Sequence, residues 1–500
     1  MMSVLPVFSL VVSFLLSLLF LLTFWRKQKK YKFLPPGPAP LPLLGTPKNI
    51  GDRAACKYFP ELSRKYGPVF TVWRLTDPIV VICGYEAVKD ALLQHAEEFN
   101  GRPFSPVIDF YSEGYSFPTV NGERWRQLRR FTMSSLRNFG MGKSSMERQI
   151  LEESKHLIKA VTQMGGKPFS PVNFLGYAVG NITSCALLGE RFNYNDPKLQ
   201  ELLITMRKFV RSAHSTLHEL GNTFPLLLNV PILKEKIFKE TYDLIEFVKI
   251  YIENHKRSLN PNAPRDFIDY FLIKIKEEES HSGSDFREIS LIMSIITLLA
   301  TGTQTTSTTL NFALNLISNY PDVQVKVQQE IDEVTGSQWP PGIMDRAQMP
   351  YTNAVIHEMQ RVLDLAPVAH YHAMTKDTQF RGYTIPKGTT VIPFISSVLS
   401  DPTQWETPED FNPGHFLDDK GQFRPRPAFM AFSAGKRVCA GETMARMQIF
   451  LLLCALLQKF SFTLPPGTER QDCRKLKQNK VQAMFFSQIC AKPRPRSSTA

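Results

Sequence analysis

Phe432-Ser433-Ala434-Gly435-Lys436-Arg437-Val438-Cys439-Ala440-Gly441 is the stretch on which the reading of this 500-residue chain turns. A cysteine stands between two glycines and beside an arginine, directly before a helical pattern over Glu442–Phe460. Glycines let backbone N–H groups approach a sulfur closely, and a helix N-terminus favours a thiolate. The pattern therefore predicts that Cys439 serves as an anionic metal ligand, with Phe432, Gly435, Arg437 and Gly441 shaping its loop. The rival reading is a buried cysteine in a glycine turn. The remaining cysteines, six of seven, are widely spaced and form no C-x2–4-C pair. A structural zinc site or a disulfide framework is thereby disfavoured, and a reducing compartment is indicated.

Outward from this loop, the composition is that of a folded protein, 43% hydrophobic and 21% charged. The net charge of +13 is concentrated at the ends. Arg26, Lys27, Lys29, Lys30 and Lys32 precede every acid, and Lys492, Arg494 and Arg496 close the chain, leaving +5 for Phe33–Cys490. That mild excess excludes a nucleic-acid footprint. Val4–Trp25 is almost all Leu, Phe and Val and carries no charge. As a helix it would be about 33 Å long, enough for a hydrocarbon core of about 30 Å. The positive charges follow the apolar run, unlike those of a cleaved signal peptide, so the reading is a signal-anchor with Arg26 onward in the cytoplasm. The expected organisation is an anchor at 1–25, a basic and proline-rich linker at 26–50, and a catalytic domain at 51–500.

Short strands are expected at Val69–Trp73, Ile79–Ile82, Thr378–Phe380, Tyr383–Ile385 and Thr389–Phe394. Helical periodicity marks Glu147–Met164, Lys198–Leu220, Lys234–Leu259, Phe286–Asn319 and Glu442–Phe460. The fold class is mainly α with small β-sheets. Phe224–Val230 reads as a buried loop or as a loop that dips into a membrane surface. Six threonines between Thr301 and Thr309 are poor helix formers, yet both flanks keep helical spacing. Threonine hydroxyls can bond back to i−4 carbonyls there. Glu358 and Arg361, three apart, share a helix face. Trp125 and Arg129 place an indole N–H and a guanidinium one turn apart, able to reach one carboxylate. Asn181-Ile182-Thr183 is a glycosylation sequon that the cytoplasmic topology would leave unused.

The cysteine loop resembles the haem-ligand loop of the cytochromes P-450, and the chain resembles family 2 of the microsomal members from anchor to tail. The resemblance implies the cytochrome P-450 fold and haem b (iron protoporphyrin IX) ligated by Cys439. It implies propionate donors at Trp125, Arg129, His372 and Arg437. Glu358-Met-Gln-Arg361 resembles the family's E-x-x-R pair, and His415 falls where many members carry the arginine that completes its network. Ala300–Thr306 resembles the dioxygen groove, with Gly302, Gln304 and Thr305 at its catalytic positions. Gln304 replaces the usual acid and Thr301 the usual alanine. Family alignment implies pocket walls at Val107, Ile108, Phe110, Phe117, Phe209, Leu298, Leu299, Thr301, Val368, Ala369, His370, Met484 and Phe485.

The implied activity is insertion of one oxygen atom of O2 into lipophilic substrates such as xenobiotics, fatty acids and steroids. No G-x-G-x-x-G opens a helix, so electrons must come from outside. The implied donor is the NADPH–cytochrome P-450 reductase, with cytochrome b5 as an optional second partner, docking on Arg126, Arg130, Arg137, Lys143 and Lys436. The implied location is the endoplasmic reticulum membrane. Alternatives are a dedicated fatty-acid or eicosanoid oxygenase, with His370 or Arg211 holding a carboxylate, and a non-enzymatic haem-thiolate sensor.

Overall fold

The computed structural model describes residues 31–41, 45–46, 52–138, 141–213, 215–281, 283–336, 339–368 and 370–495. The expected anchor at 1–25 lies outside them. The described chain forms two compact units. One holds the residues up to Pro103 together with Val368–Phe394, and the other holds Phe104–Pro367 and the residues from Ile395 onward.

In the first unit the strands are β1 (Val69–Arg74), β2 (Asp77–Ile82), β3 (His372–Ala373), β4 (Thr378–Phe380), β5 (Tyr383–Ile385) and β6 (Thr390–Pro393). The main sheet runs in the order β1-β2-β6-β3, and β4 pairs with β5. β1 and β2 form a tight hairpin in which Arg74 opposes Asp77. Phe70 and Val72 of β1 and Ile79 and Val81 of β2 lie on one side of the pleat. They bury themselves against Ala55, Phe59 and Leu62 of the Asp52–Tyr66 helix. The proline-rich segment is part of this unit rather than a free spacer. Thr71 donates its N–H to Pro36 O and its hydroxyl to Pro35 O. Gly37 is required at this approach, because a Cβ would lie 1.9 Å from Thr71 O.

The second unit is helical, apart from a two-stranded sheet of β7 (Phe460–Thr463) and β8 (Cys490–Pro493). Its centre is the 32-residue helix Glu288–Asn319, packed against Val172–Leu188. Among the described residues this helix alone is long and apolar enough to cross a membrane. Its flanks are buried in two hydrophobic clusters of the unit, so it reads as a core helix. It starts at Glu288 rather than Phe286, because Ser290 accepts the Arg287 N–H and the helix can only begin after that cap. The expected helix over Lys198–Leu220 is instead two, Pro197–Ser212 and Thr216–Thr223. The Ser215 hydroxyl captures the His218 N–H and restarts the chain as a new N-cap. The other expected helices agree within three residues, being Ser144–Thr162, Pro231–Ser258 and Glu442–Lys459.

Phe224–Val230 contains a 3-10 turn at Pro225–Asn229. Only Leu228 is buried, while Leu226 is 82% and Phe224 53% exposed. The buried-loop alternative is therefore excluded. Asn181 is enclosed within the Val172–Leu188 helix. Its amide donates to Phe192 O at 2.9 Å and accepts from Phe192 N at 2.9 Å. The folded sequon is thus out of reach of any enzyme, whatever the topology.

Glu358 and Arg361, on the helix Pro350–Leu363, have no exposed side-chain surface. Arg361 Nε and Nη2 each donate to a Glu358 oxygen at 2.7 Å. The remaining donors reach Leu399 O, Pro408 O and Asp410 O, each at 2.8 Å. Glu358 Oε1 also accepts from Asn412 N and from His415 Nδ1. Thr407 N donates to His415 Nε2, so that nitrogen is an acceptor and Nδ1 carries the hydrogen. His415 thus joins the network through both ring nitrogens, with Glu406 Oε2 3.6 Å from Nε2. Arg426 lies over one ring with Arg361: both guanidinium carbons are 5.2 Å from the Trp405 centroid.

Removing one partner of a buried ion pair costs about 3–5 kcal/mol. Glu358→Ala should therefore yield little folded, haem-loaded protein, measured as the haem-to-protein absorbance ratio after purification. A well-folded, loaded and inactive variant would instead show that Glu358 takes part in the chemistry.

Candidate functional site

The cysteine loop is closed by its own backbone. Cys439 N donates to Phe432 O at 3.0 Å, Ser433 N to Met430 O and Val438 N to Gly435 O. Gly435 adopts φ +72°, a left-handed turn that a side chain would strain. The Glu442–Lys459 helix follows with Gly441 as its N-cap, so Cys439 stands at the start of a helix. Cys439 keeps exposed surface, and its thiol is held above its ordinary range by partial desolvation within the loop and by the Glu442 carboxylate, with the Arg129 guanidinium acting in the opposite direction.

Three of the expected propionate donors surround the same loop. Arg129 donates to Val438 O at 2.5 Å. The Arg437 guanidinium carbon lies 3.8 Å from the Trp125 ring centroid, and its Nη2 reaches Val120 O at 2.8 Å. Trp125 is itself buried. His372 belongs to the other unit, where it is buried in β3 and its Nδ1 donates to Phe99 O at 2.6 Å.

The threonine-rich segment is helical throughout. The hydroxyls of Thr301, Thr305 and Thr309 donate to Thr297, Thr301 and Thr305 carbonyls at 2.7, 2.7 and 2.8 Å. Leu298, Thr301, Gly302 and Thr305 share one stripe, and all four have accessible surface within a helix whose flanks are buried. A core helix that leaves one stripe uncovered lines a cleft. Gln304 is on another face. With Ser307 and Asn311 it borders a small crevice that Gly176, Arg207 and Met484 complete.

The other expected pocket residues are spread over several environments. Val107, Phe117 and Leu299 are buried in hydrophobic clusters, and Phe209 packs against one. Ile108 is partly accessible, and Phe110 is accessible while stacking on Phe238 at 4.9 Å. Phe485 joins Met484 at the Gln304 crevice. Val368 is buried in the first unit, His370 and Arg211 are exposed, and Ala369 lies outside the described residues. One pair was not read from the sequence: His357 Nε2 lies 2.7 Å from Arg446 Nη1, directly behind the cysteine loop's helix. A histidine next to Glu358 was the only signal, and its partner is 89 positions away.

The residues present suit a haem. An exposed cysteine stands at a helix start, guanidinium groups adjoin its loop, and a polar-edged stripe lines a cleft. Residues 35–484 match the family model described as Cytochrome P450. Cytochrome P450 2C8 of Homo sapiens is 43% identical over 447 residues, 89% of this chain and 91% of that protein. Cytochrome P450 2A13 of Homo sapiens is 42% identical over 91% of this chain and 93% of its own. Cytochrome P450 2B4 of Oryctolagus cuniculus is 42% identical over 93% and 94%. With the cysteine loop and the buried Glu358–Arg361 pair in place, the chain belongs to the cytochrome P450 family, the haem-thiolate monooxygenases, among its microsomal family 2 members.

Proposed function

We propose that this monooxygenase acts broadly on lipophilic small molecules, with residues 51–500 as one catalytic domain held at the endoplasmic reticulum membrane by residues 1–25. The single observation that carries the reading is the closed backbone loop around Cys439 at the start of the Glu442–Lys459 helix, with the Arg129 guanidinium bonded to the adjacent Val438 carbonyl. Haem bound through Cys439 supplies dioxygen activation, driven by the electron-donating thiolate. Trp125, Arg129, His372 and Arg437 are assigned to the propionates, where charge-assisted hydrogen bonds would fix the cofactor's orientation.

The protein's own part is positioning, exclusion of water and proton supply. The Thr305 hydroxyl gives its proton to Thr301 O, so its oxygen is left as an acceptor on the open stripe. A water donating to that oxygen can be held there, and rotation of the hydroxyl passes a proton into the cleft. Gln304 cannot titrate and points to a different face. Thr305 and water therefore carry the proton path. Leu298 and Thr301 give the stripe a mixed apolar and polar edge suited to lipophilic substrates.

Membrane attachment is supported by the apolar run at Val4–Trp25 and, independently, by the exposed Phe224, Leu226 and Ile232. Apolar side chains clustered around a short turn favour an interfacial environment. The electron donor is assigned to the membrane NADPH–cytochrome P-450 reductase, with Arg126, Arg130, Arg137, Lys143 and Lys436 as its acidic partner's dock. Cytochrome b5 would use the same basic face.

Three experiments test these assignments. Purified protein should show the strongly red-shifted ferrous–CO Soret band and oxidise members of a lipophilic panel with NADPH and reductase. Cys439→Ser should lose the band; a band that survives with haem retained removes Cys439 as ligand. Thr305→Ala and Thr305→Val should keep consuming NADPH while product per NADPH drops about tenfold, the balance appearing as peroxide. Unchanged coupling in both would leave Thr305 a helix threonine. The full chain should stay in the membrane pellet after alkaline carbonate washing, whereas a chain lacking residues 1–25 should become salt-extractable. Equal behaviour of the two would overturn the anchor.

A further inference from the structure

His357 precedes Glu358 on the Pro350–Leu363 helix but faces the other way, into a box of Phe416, Phe423 and Phe429 with ring separations of 5.4, 4.6 and 4.9 Å. Its two nitrogens meet opposite partners. Nδ1 is 2.7 Å from the Asn353 carbonyl, which can only accept, so Nδ1 carries the hydrogen. Nε2 is 2.7 Å from Arg446 Nη1, which can only donate, so Nε2 presents its lone pair. The imidazole is therefore neutral. Burial, the Arg446 charge beside it and the more distant Arg346 charge agree, holding its pKa down to about 3.

Arg446 turns this fixed acceptor toward the cysteine loop. Its Nε and Nη2 each lie 2.9 Å from Glu442 Oε1. Its guanidinium carbon is 5.0 Å from the Phe432 ring centroid and 5.4 Å from that of Phe429. Phe432 and Glu442 stand on either side of Cys439. Phe432 O accepts the Cys439 N–H, and Glu442 is the first residue of the helix that follows the loop. One guanidinium thus holds both ends of the ligand loop, and the imidazole holds the guanidinium.

We propose that His357 and Arg446 are positioning residues for the thiolate, a neutral imidazole–guanidinium tether that fixes both ends of the loop carrying Cys439. The proposal rests on the haem-thiolate reading. Without His357, Arg446 keeps the Glu442 pair, an i,i+4 contact that is weak by itself, and its contacts to the Phe429 and Phe432 rings, which do not fix the guanidinium's direction as a hydrogen-bond acceptor does. The first turn behind Cys439 then loosens, the loop holds the sulfur less firmly in place, and the thiolate-ligated state is lost more readily.

The test uses the full-length, haem-loaded protein and follows decay of the red-shifted ferrous–CO band to the blue-shifted, thiol-ligated form. His357→Leu removes the acceptor. His357→Gln restores one, since its amide oxygen takes the place of Nε2. His357→Leu should convert about tenfold faster than the parent, the scale of one lost charge-assisted hydrogen bond. His357→Gln should convert within about twofold of the parent. Thermal unfolding by circular dichroism is recorded in parallel. A lowered midpoint for His357→Leu with parental conversion of the folded protein would make His357 structural and overturn the tether. Equally fast conversion of His357→Gln and His357→Leu would do the same. Should His357→Leu fail to fold, Arg446→Lys carries the test. Its point charge cannot span His357 and Glu442 together, so it too should convert faster, and parental conversion would overturn the proposal. Absence of the red-shifted band in the parent would instead sink the haem-thiolate reading itself.

Discussion

A guanidinium with no exposed surface must place its hydrogen-bond donors on protein acceptors or leave them buried and unmet. Arg361 does so on both Glu358 oxygens and on the carbonyls of Leu399, Pro408 and Asp410. That requirement ties the irregular chain between Leu399 and Asp410 to one helix. Few other forces could order such a segment, which has little regular structure of its own. The same helix carries His357 one residue before Glu358, so two successive side chains serve opposite faces. One gathers the irregular chain, and the other steadies the helix behind Cys439.

The parts that were legible in the sequence are those whose chemistry is local. The cysteine loop was readable because turn glycines, a thiol and a helix start lie within ten residues. The threonine run was readable as helix from its flanks, and the hydroxyl-to-carbonyl bonds expected of it are present. The two-residue hairpin of β1 and β2 and the strands near Pro386 were set by turn chemistry. What could not be read depends on distant partners. No spacing rule pairs His357 with Arg446 or sets the Thr407 N–H against His415 Nε2. The break after Ser212 was missed because periodicity continues across it and a single serine hydroxyl decides the matter. Gln304 has a sequence position next to Thr305 but, at 100° per residue, a different face, and the crevice it borders required the packing of Gly176, Arg207 and Met484 around it.

The polar groups of the central helix divide its labour. On the buried flanks, Ser294 and Ser318 bond back to carbonyls four residues earlier and so bring no unmet donor into the core. On the open stripe the same back-bonding leaves threonine oxygens facing a cleft, where they can accept from water. One device, the hydroxyl returned to its own helix, hides polarity in one place and presents it in another. This is how so apolar a helix can be both the centre of a core and the wall of a site.

The enclosure of Asn181 has a consequence in time rather than in space. Its amide is paired in both directions with the Phe192 backbone, so the sequon exists as a reactive group only before the Val172–Leu188 helix has formed and docked. A sugar attached there would record that the chain had been exported while still unfolded. It would also force a bulky group into an enclosed site and bar that chain from its native state. Asn181 is thus a one-way clock: a glycan on it dates a translocation event that preceded folding and condemns the molecule that carries it.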